Sequence, residues 1–245
     1  MVPVVTTREF MANTAAIGSI GASFYFVPET IATGKEHGLD GFRFYFLGRG
    51  GVLGDVEAPV VASAFGYFNP ALVAKMWDSA KEKMAPRDAG RLYLSCAHAL
   101  GRARLADVEG LEAYCAAADQ IDAAIDPAAM ALYAGIAAEP RPDDAPALAM
   151  HMSAVLREAR GSAHLLAIRA AGVTPRLAHQ IKRPTEGKLF GWEDDPPVSD
   201  DDRAAWDRAE EVTDELLEPA YARLDDDGRA AFLAGLGRIE SALAG

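Results

Sequence analysis

Cysteine is nearly absent: Cys96 and Cys115 are the only two in 245 residues, and no CxxC pair contains them. A multi-bridge disulfide framework and a thiolate zinc site are therefore excluded, while one bridge between the two stays open. No apolar run reaches the roughly 20 residues of a membrane span. Arg8 and Glu9 stand where the apolar core of a secretion signal would begin, so a cytoplasmic chain with no membrane association is expected. HExxH, HxxxH, GxSxG and GK[ST] are all missing. Metal and cofactor are accordingly expected to be none, and nucleophilic catalysis has no sequence handle.

Runs of β-branched residues are also scarce, alanine is abundant, and eighteen arginines stand against six lysines. This composition predicts an all-α fold. Helices are predicted over TTREFMANTAAIGSIGASFYF, ETIATGKEHG, APVVASAFGYF, NPALVAKMWDSAKEKM, PRDAGRLYLSCAHALGRARL, DVEGLEAYCAAADQI and DPAAMALYAGIAA, several opened by an acidic residue or a proline. GFRFYFLGRG alternates enough to allow a strand. The linker EPRPDDAP leads into a long helix, ALAMHMSAVLREARGSAHLLAIRAAG, with a break expected near Gly161. The expected organisation is an N-terminal multi-helix region (1–139), a helix-turn-helix-like segment (147–191) and C-terminal helices (203–245), forming one compact unit.

The net charge of −12 argues against a surface coated for nucleic acid, yet the charge is segregated. Residues 151–191 carry seven bases against Glu158 and Glu186, and 193–228 carry fifteen acids against three arginines. Within the basic stretch, HLLAIRAAGVTPRLAHQIKR has helix-turn-helix grammar. An apolar helix runs to Gly172 at the turn, Val173 follows, Thr174 caps, Pro175 opens, and a short basic helix ends the motif. In a major groove, Thr174, Arg176, His179, Gln180, Lys182 and Arg183 would meet phosphates and base edges of duplex DNA. The same text also writes an ordinary helical hairpin.

Arg157, Arg160 and His164 fall on one stripe of a helix, at i, i+3 and i+7, and could gather an anion. His151 and Glu158 share the neighbouring stripe. If the protein is an enzyme, Glu158 and His164 are the acid–base candidates, with Tyr45, Arg49, His151, Arg157 and Arg160 binding the ligand. The bland alternative is a solvated, salt-bridged helix face. GRGGVLG lacks the phosphate-loop signature and reads as a tight connection presenting Arg49. His98, in apolar text, reads as a core histidine. The aromatics at 24–26, 42, 44–46, 65, 67 and 68 suit a core or the apolar wall of a small-molecule pocket. Trp206, Val212, Leu216 and Leu217 mark an amphipathic helix that could pack on the core or form a homodimer through the C-terminal helices.

GFRFYFLGRGGVLGDVEAPVVASAFGYFNPALVAKMW, LREARGSAHLLAIRAAGV and AEEVTDELLEPAYARLDDDGRAAF resemble an actinobacterial, largely uncharacterised group of helix-turn-helix proteins, distantly similar to winged-helix regulators. The resemblance spans roughly 12–244. It implies an N-terminal helical region and a degenerate helix-turn-helix region, because a Pro/Asp-rich loop stands between Trp192 and Ala209 where winged-helix relatives carry a helix and a wing. Two functions follow. One is a small-molecule-responsive helix-turn-helix protein regulating transcription; the other is an enzyme or binding protein for a small anionic or aromatic ligand. They separate on one observation: a buried Arg157/Arg160/His164 stripe facing Arg49 beside a cavity sinks the regulator as stated and leaves the pocket, and an exposed stripe continuous with Arg176 and Lys182 favours DNA.

Overall fold

Proline stands in the first turn of six helices, where its missing N–H has no intrahelical partner to lose and its fixed φ suits entry. The computed structural model describes residues 6–244 and contains thirteen α-helices and no strand among them. In chain order they are α1 (Thr7–Ala12), α2 (Ala16–Ala22), α3 (Pro28–Glu36), α4 (Gly41–Gly50), α5 (Ala58–Phe65), α6 (Pro70–Lys81) and α7 (Pro86–Arg104). Then follow α8 (Leu111–Asp122), α9 (Ala131–Ala137), α10 (Ala145–Ala170), α11 (Pro175–Lys182), α12 (Asp200–Tyr221) and α13 (Asp226–Ala244). Short 3-10 turns lie at Gly51–Leu53 and Gly187–Phe190. No helix of the described residues is long and apolar enough to cross a membrane.

Helix α10 is the axis of the fold. It packs against α2, α7, α8, α9 and α12, and Ala149, Met150, Met152, Val155, Leu156, Ala159 and Ala163 bury different faces of it. A helix surrounded on most sides is apolar most of the way round, so its sequence shows no sharp amphipathic stripe. The main core extends from Phe10 to Ile239, with Trp77, Tyr114 and Phe232 among its largest fully buried side chains. A second, smaller cluster of Ala167, Ile168, Val173, Ala178 and Ala209 joins the end of α10 to α11 and α12.

Three local expectations are corrected. The first predicted helix is two, because Asn13 caps α1 and the Thr14 hydroxyl donates to the Met11 carbonyl at 2.8 Å. GFRFYFLGRG is helix α4, not a strand: Asp40 accepts the Arg43 N–H at its start, and Phe44, Tyr45, Phe46 and Leu47 are all buried. Consecutive buried positions suit a helix lying between α6 and α7 better than an alternating strand. The glycines that follow serve packing. A Cβ on Gly48 would overlap the Tyr93 side chain and one on Gly51 the Pro86 carbonyl, so they allow α4 and its 3-10 extension to lie directly on α7. Finally, α10 runs unbroken through Gly161. Cys96 and Cys115 are both free and buried.

The turn after α10 follows the sequence grammar. Gly172 takes φ +79°, the Val173 N–H closes on the Ile168 carbonyl at 2.9 Å, and Thr174 accepts the Leu177 N–H at 3.2 Å. Buried Val173 and Ala178 fix α11 against the second cluster. No β-wing follows; residues 192–199 are loop.

Candidate functional site

Between α2, α4 and α5 on one side and α10, α11 and α12 on the other lies a cavity of about 900 Å³, toward the upper end of small-molecule sites. One wall is aromatic: Phe42 and Tyr45 of α4, Phe65 of α5, and Tyr25, Phe26 and Phe68 from the turns after α2 and α5, with Tyr67, Phe190 and Trp206 further round. These rings hold one another. Tyr45 stacks on Phe26 and meets Tyr25 and Phe65 edge-on, and Phe68 stacks on Phe190 with centroids 4.2 Å apart. Two glycines, Gly18 on α2 and Gly161 on α10, line the cavity, and a Cβ on either would meet no atom within 4 Å.

The inner end of the cavity is a buried ion cluster. Arg49, on the last turn of α4, grips Glu158 of α10 with both ends of its fork, Nε to Oε1 and Nη2 to Oε2, each at 2.8 Å. Arg157 Nη1 donates to Glu158 Oε1 at 2.7 Å and to the Tyr25 hydroxyl at 2.8 Å, and Tyr25 in turn donates to the same Oε1 at 3.0 Å. Arg49 Nη1 reaches the Tyr45 hydroxyl at 3.0 Å. The two guanidiniums lie over the rings of Phe65 and Tyr25, respectively.

Side-chain exposure is 3% for Glu158, 13% for Arg49 and 25% for Arg157. Burial alone would push the Glu158 carboxyl up; Arg49 first, then Arg157 and the hydrogen bonds, hold it at about 2. Burial likewise disfavours the charged guanidiniums, and Glu158 and the tyrosines outweigh it, so both stay protonated. A carboxylate held near 2 and surrounded by four donors is a counter-ion and a weak base at neutral pH, which opposes acid–base work by Glu158.

The stripe expected on α10 divides. Arg157 joins Arg49 at the inner end, while Arg160 stands at the rim and pairs with Glu210 of α12 at 2.7 Å. His164 is buried and lines the cavity. Its Nδ1 lies 2.9 Å from the Thr213 hydroxyl and its ring meets Trp206 edge-on. Burial holds its pKa below the ordinary value, against the pull of Glu210 and helped by Arg160 and Lys182. His151 is not brought to the cavity. It is fully buried between α10 and α7, its Nδ1 3.1 Å from Nε2 of His98, so His98 too has a polar partner. Among the described residues no three His, Cys, Asp or Glu side chains gather where they could hold a metal ion.

Four of the six residues expected to meet DNA, namely Thr174, Arg176, His179 and Arg183, are engaged within the chain. Thr174 caps α11, and Arg176 pairs with Asp194 at 2.8 Å while lying over the Trp192 ring. His179 is buried against Phe190, centroids 3.9 Å apart, and Arg183 pairs with Glu186 at 2.9 Å. Gln180 is half-buried and Lys182 exposed. The strap 184–199 is anchored to the turn between α5 and α6. Trp192 Nε1 donates to the Tyr67 carbonyl, and Asn69 donates from its side chain to the Gly191 carbonyl, each at 2.9 Å. His179, Lys182 and Arg183 of the α11 region line the cavity.

Tyr25, Glu210 and Thr213 were not singled out from the sequence for the site. Tyr25 carried a signal as one of the aromatic group; Glu210 and Thr213 sit in acidic text with none. Residues 11–195 match the model of a family described as the helix-turn-helix family. No curated protein and no solved structure matches the chain.

Proposed function

The chain belongs to the helix-turn-helix family, and from that premise we propose that it is a small-molecule-binding member whose cavity takes a flat, apolar anion. The observation that carries the reading is the buried Arg49–Glu158–Arg157 cluster at the end of an aromatic-walled cavity. Five cationic side chains line that cavity (Arg49, Arg157, Arg160, Lys182, Arg183) against Glu158, Glu186 and Glu210. The lining is therefore net positive in a protein of net charge −12, and such a site favours anions. Arg49 is locked by Glu158, whereas Arg157 has only Nη1 hydrogen-bonded and keeps Nε and Nη2 for a ligand.

The test combines mass spectrometry of the denatured protein with a variant that puts a bulky side chain into the cavity beside Arg157 and Glu158. Wild type should release a co-purified aromatic or other flat acid, and Gly161→Leu should not. Nothing crowds a side chain at Gly161, and leucine is the better helix former, so the variant should stay folded. Wild type that carries no such molecule and shows no thermal shift with millimolar naphthoate or biphenyl carboxylates would sink the proposal.

A second reading, regulation of transcription, is favoured by one observation: α11, the second helix of the motif, is also a cavity wall. A ligand touching His179 or Lys182 would bias the position of α11, which is how a small molecule could control duplex binding. With Arg176 and Arg183 tied to acidic partners, few phosphate contacts are free. Binding to random duplex should then be weak and fall with salt by a shallow slope. No binding even at low salt removes this reading.

A further inference from the structure

His164 and His179 are the cavity-lining histidines, both more than nine-tenths buried, and in each Nε2 has no hydrogen-bond partner. Buried nitrogens of this kind are ordinarily satisfied; both side chains line the cavity, so a ligand packed against the ring is the partner within reach. For His164 the geometry also fixes what that nitrogen can do. The Thr213 hydroxyl has one proton, and it lies 2.7 Å from the Ala209 carbonyl, to which it donates. Thr213 Oγ1 must therefore accept at its other contact, 2.9 Å from His164 Nδ1, which places the imidazole proton on Nδ1.

A neutral imidazole has no second proton, so Nε2 presents a lone pair. Burial and the neighbouring Arg160 and Lys182 keep the ring neutral against Glu210. The Glu210 carboxylate is 3.9 Å from Nε2, beyond hydrogen-bond range, and its other oxygen is taken by Arg160. Arg157 and His164 are seven residues apart on one continuous helix, hence about 10 Å along its axis. The rings of Tyr25, Tyr45, Phe65 and Trp206 line the cavity that both side chains reach.

Resting on the cavity reading above, we infer that the ligand is read at two poles. Its anionic group lies at Arg157, and a hydroxyl or N–H donor at the far end of a flat aromatic body of about 10 Å donates to His164 Nε2. The substrate or effector class is thus a hydroxy- or amino-substituted polycyclic aromatic acid, and a single-ring acid is too short to meet both poles.

Calorimetric titration with 4′-hydroxybiphenyl-4-carboxylate, biphenyl-4-carboxylate and 4-hydroxybiphenyl tests this. Wild type should bind the hydroxy acid about tenfold more tightly than the plain acid, the worth of one net hydrogen bond. In His164→Phe the two acids should bind alike. Thr213→Val, which frees the ring to change tautomer, should narrow the gap, and it serves as the second variant if His164→Phe does not fold. Equal affinity of the two acids for wild type, or an undiminished gap in folded His164→Phe, overturns the inference and leaves the cavity reading standing. If none of the three probes binds at millimolar concentration, both fall.

Discussion

Replacing Glu158 by Gln removes one charge and little volume, and leaves Arg49 and Arg157 facing each other beneath the cavity without a counter-ion. Its size can be worked from the titration of the carboxyl. Folded, it is held at about 2 against an ordinary 4.5, and a depression of that size corresponds to about 3 kcal/mol at neutral pH. Losing one member of a buried ion pair costs a comparable amount, about 3–5 kcal/mol. For a chain of this length the melting temperature should fall by roughly 6–20 °C. The sign with pH follows from the depressed pKa. The contribution is complete above 4.5 and drains away as pH falls toward about 2, so the gap between wild type and variant should narrow below half by pH 3. Urea unfolding followed by circular dichroism between pH 7 and pH 3 measures it. A gap under about 1 kcal/mol at pH 7, or one that does not change with pH, would refute the buried counter-ion argument.

Two glycines on helices should respond with opposite signs. Gly48→Ala drives a Cβ into Tyr93 and should cost about 1–3 kcal/mol, while Gly161→Ala meets nothing and should gain up to about 1 kcal/mol in helix propensity; urea midpoints decide both. His151→Leu should flatten the acid sensitivity of the fold. Burial holds His151 at about 3 against an ordinary 6.5, so the unfolded chain takes up a proton below 6.5 that the folded chain refuses, and the penalty reaches about 2 kcal/mol by pH 5. Equal loss of stability between pH 7 and pH 5 in wild type and variant would count against it. Asp194→Asn removes a partner that is 84% exposed, so thermal stability should barely move. Arg176 keeps its bond to the carbonyl of residue 194 and its place over Trp192, but loses the neutralising charge; if α11 meets DNA, low-salt affinity for duplex should rise, and an unchanged affinity speaks against that use of α11.

The helix-turn-helix turn was legible because its signals are local: Gly172 for a positive φ, Thr174 for a cap and Pro175 for a first turn act within four residues of one another. Arg49, Tyr45 and Arg157 were legible as ligand candidates by residue type. Their arrangement was not, since Glu158 meets Arg49 across 109 residues and Tyr25 across 133. Periodicity misled on α10 in particular. A single inward stripe presumes a helix with one buried face, but α10 is covered by helices around most of its circumference, so adjacent Arg157 and Glu158 both point into the site while Arg160, three residues on, lies at the rim. The strand alternative for GFRFYFLGRG failed for the same reason, an element buried between two others.

The charge segregation in the sequence acquires its meaning only in three dimensions. Helix α12 carries much of the acidic segment and packs along α10, the axis of the basic one. Glu210 there holds Arg160, the strap before α12 sets Asp194 on Arg176, and Glu215 and Glu218 reach Arg8 at the other end of the chain. Two blocks that would each repel their own neighbours in sequence thus neutralise one another at the rim of the cavity and along α11. What this neutralisation leaves uncovered is inside: Arg157 opens onto the cavity with two of its three nitrogens unengaged. The exposed surface can stay acidic while the cavity attracts anions, and because that attraction acts at short range in a partly enclosed site, added salt should weaken ligand binding far less than it weakens any binding of duplex to α11.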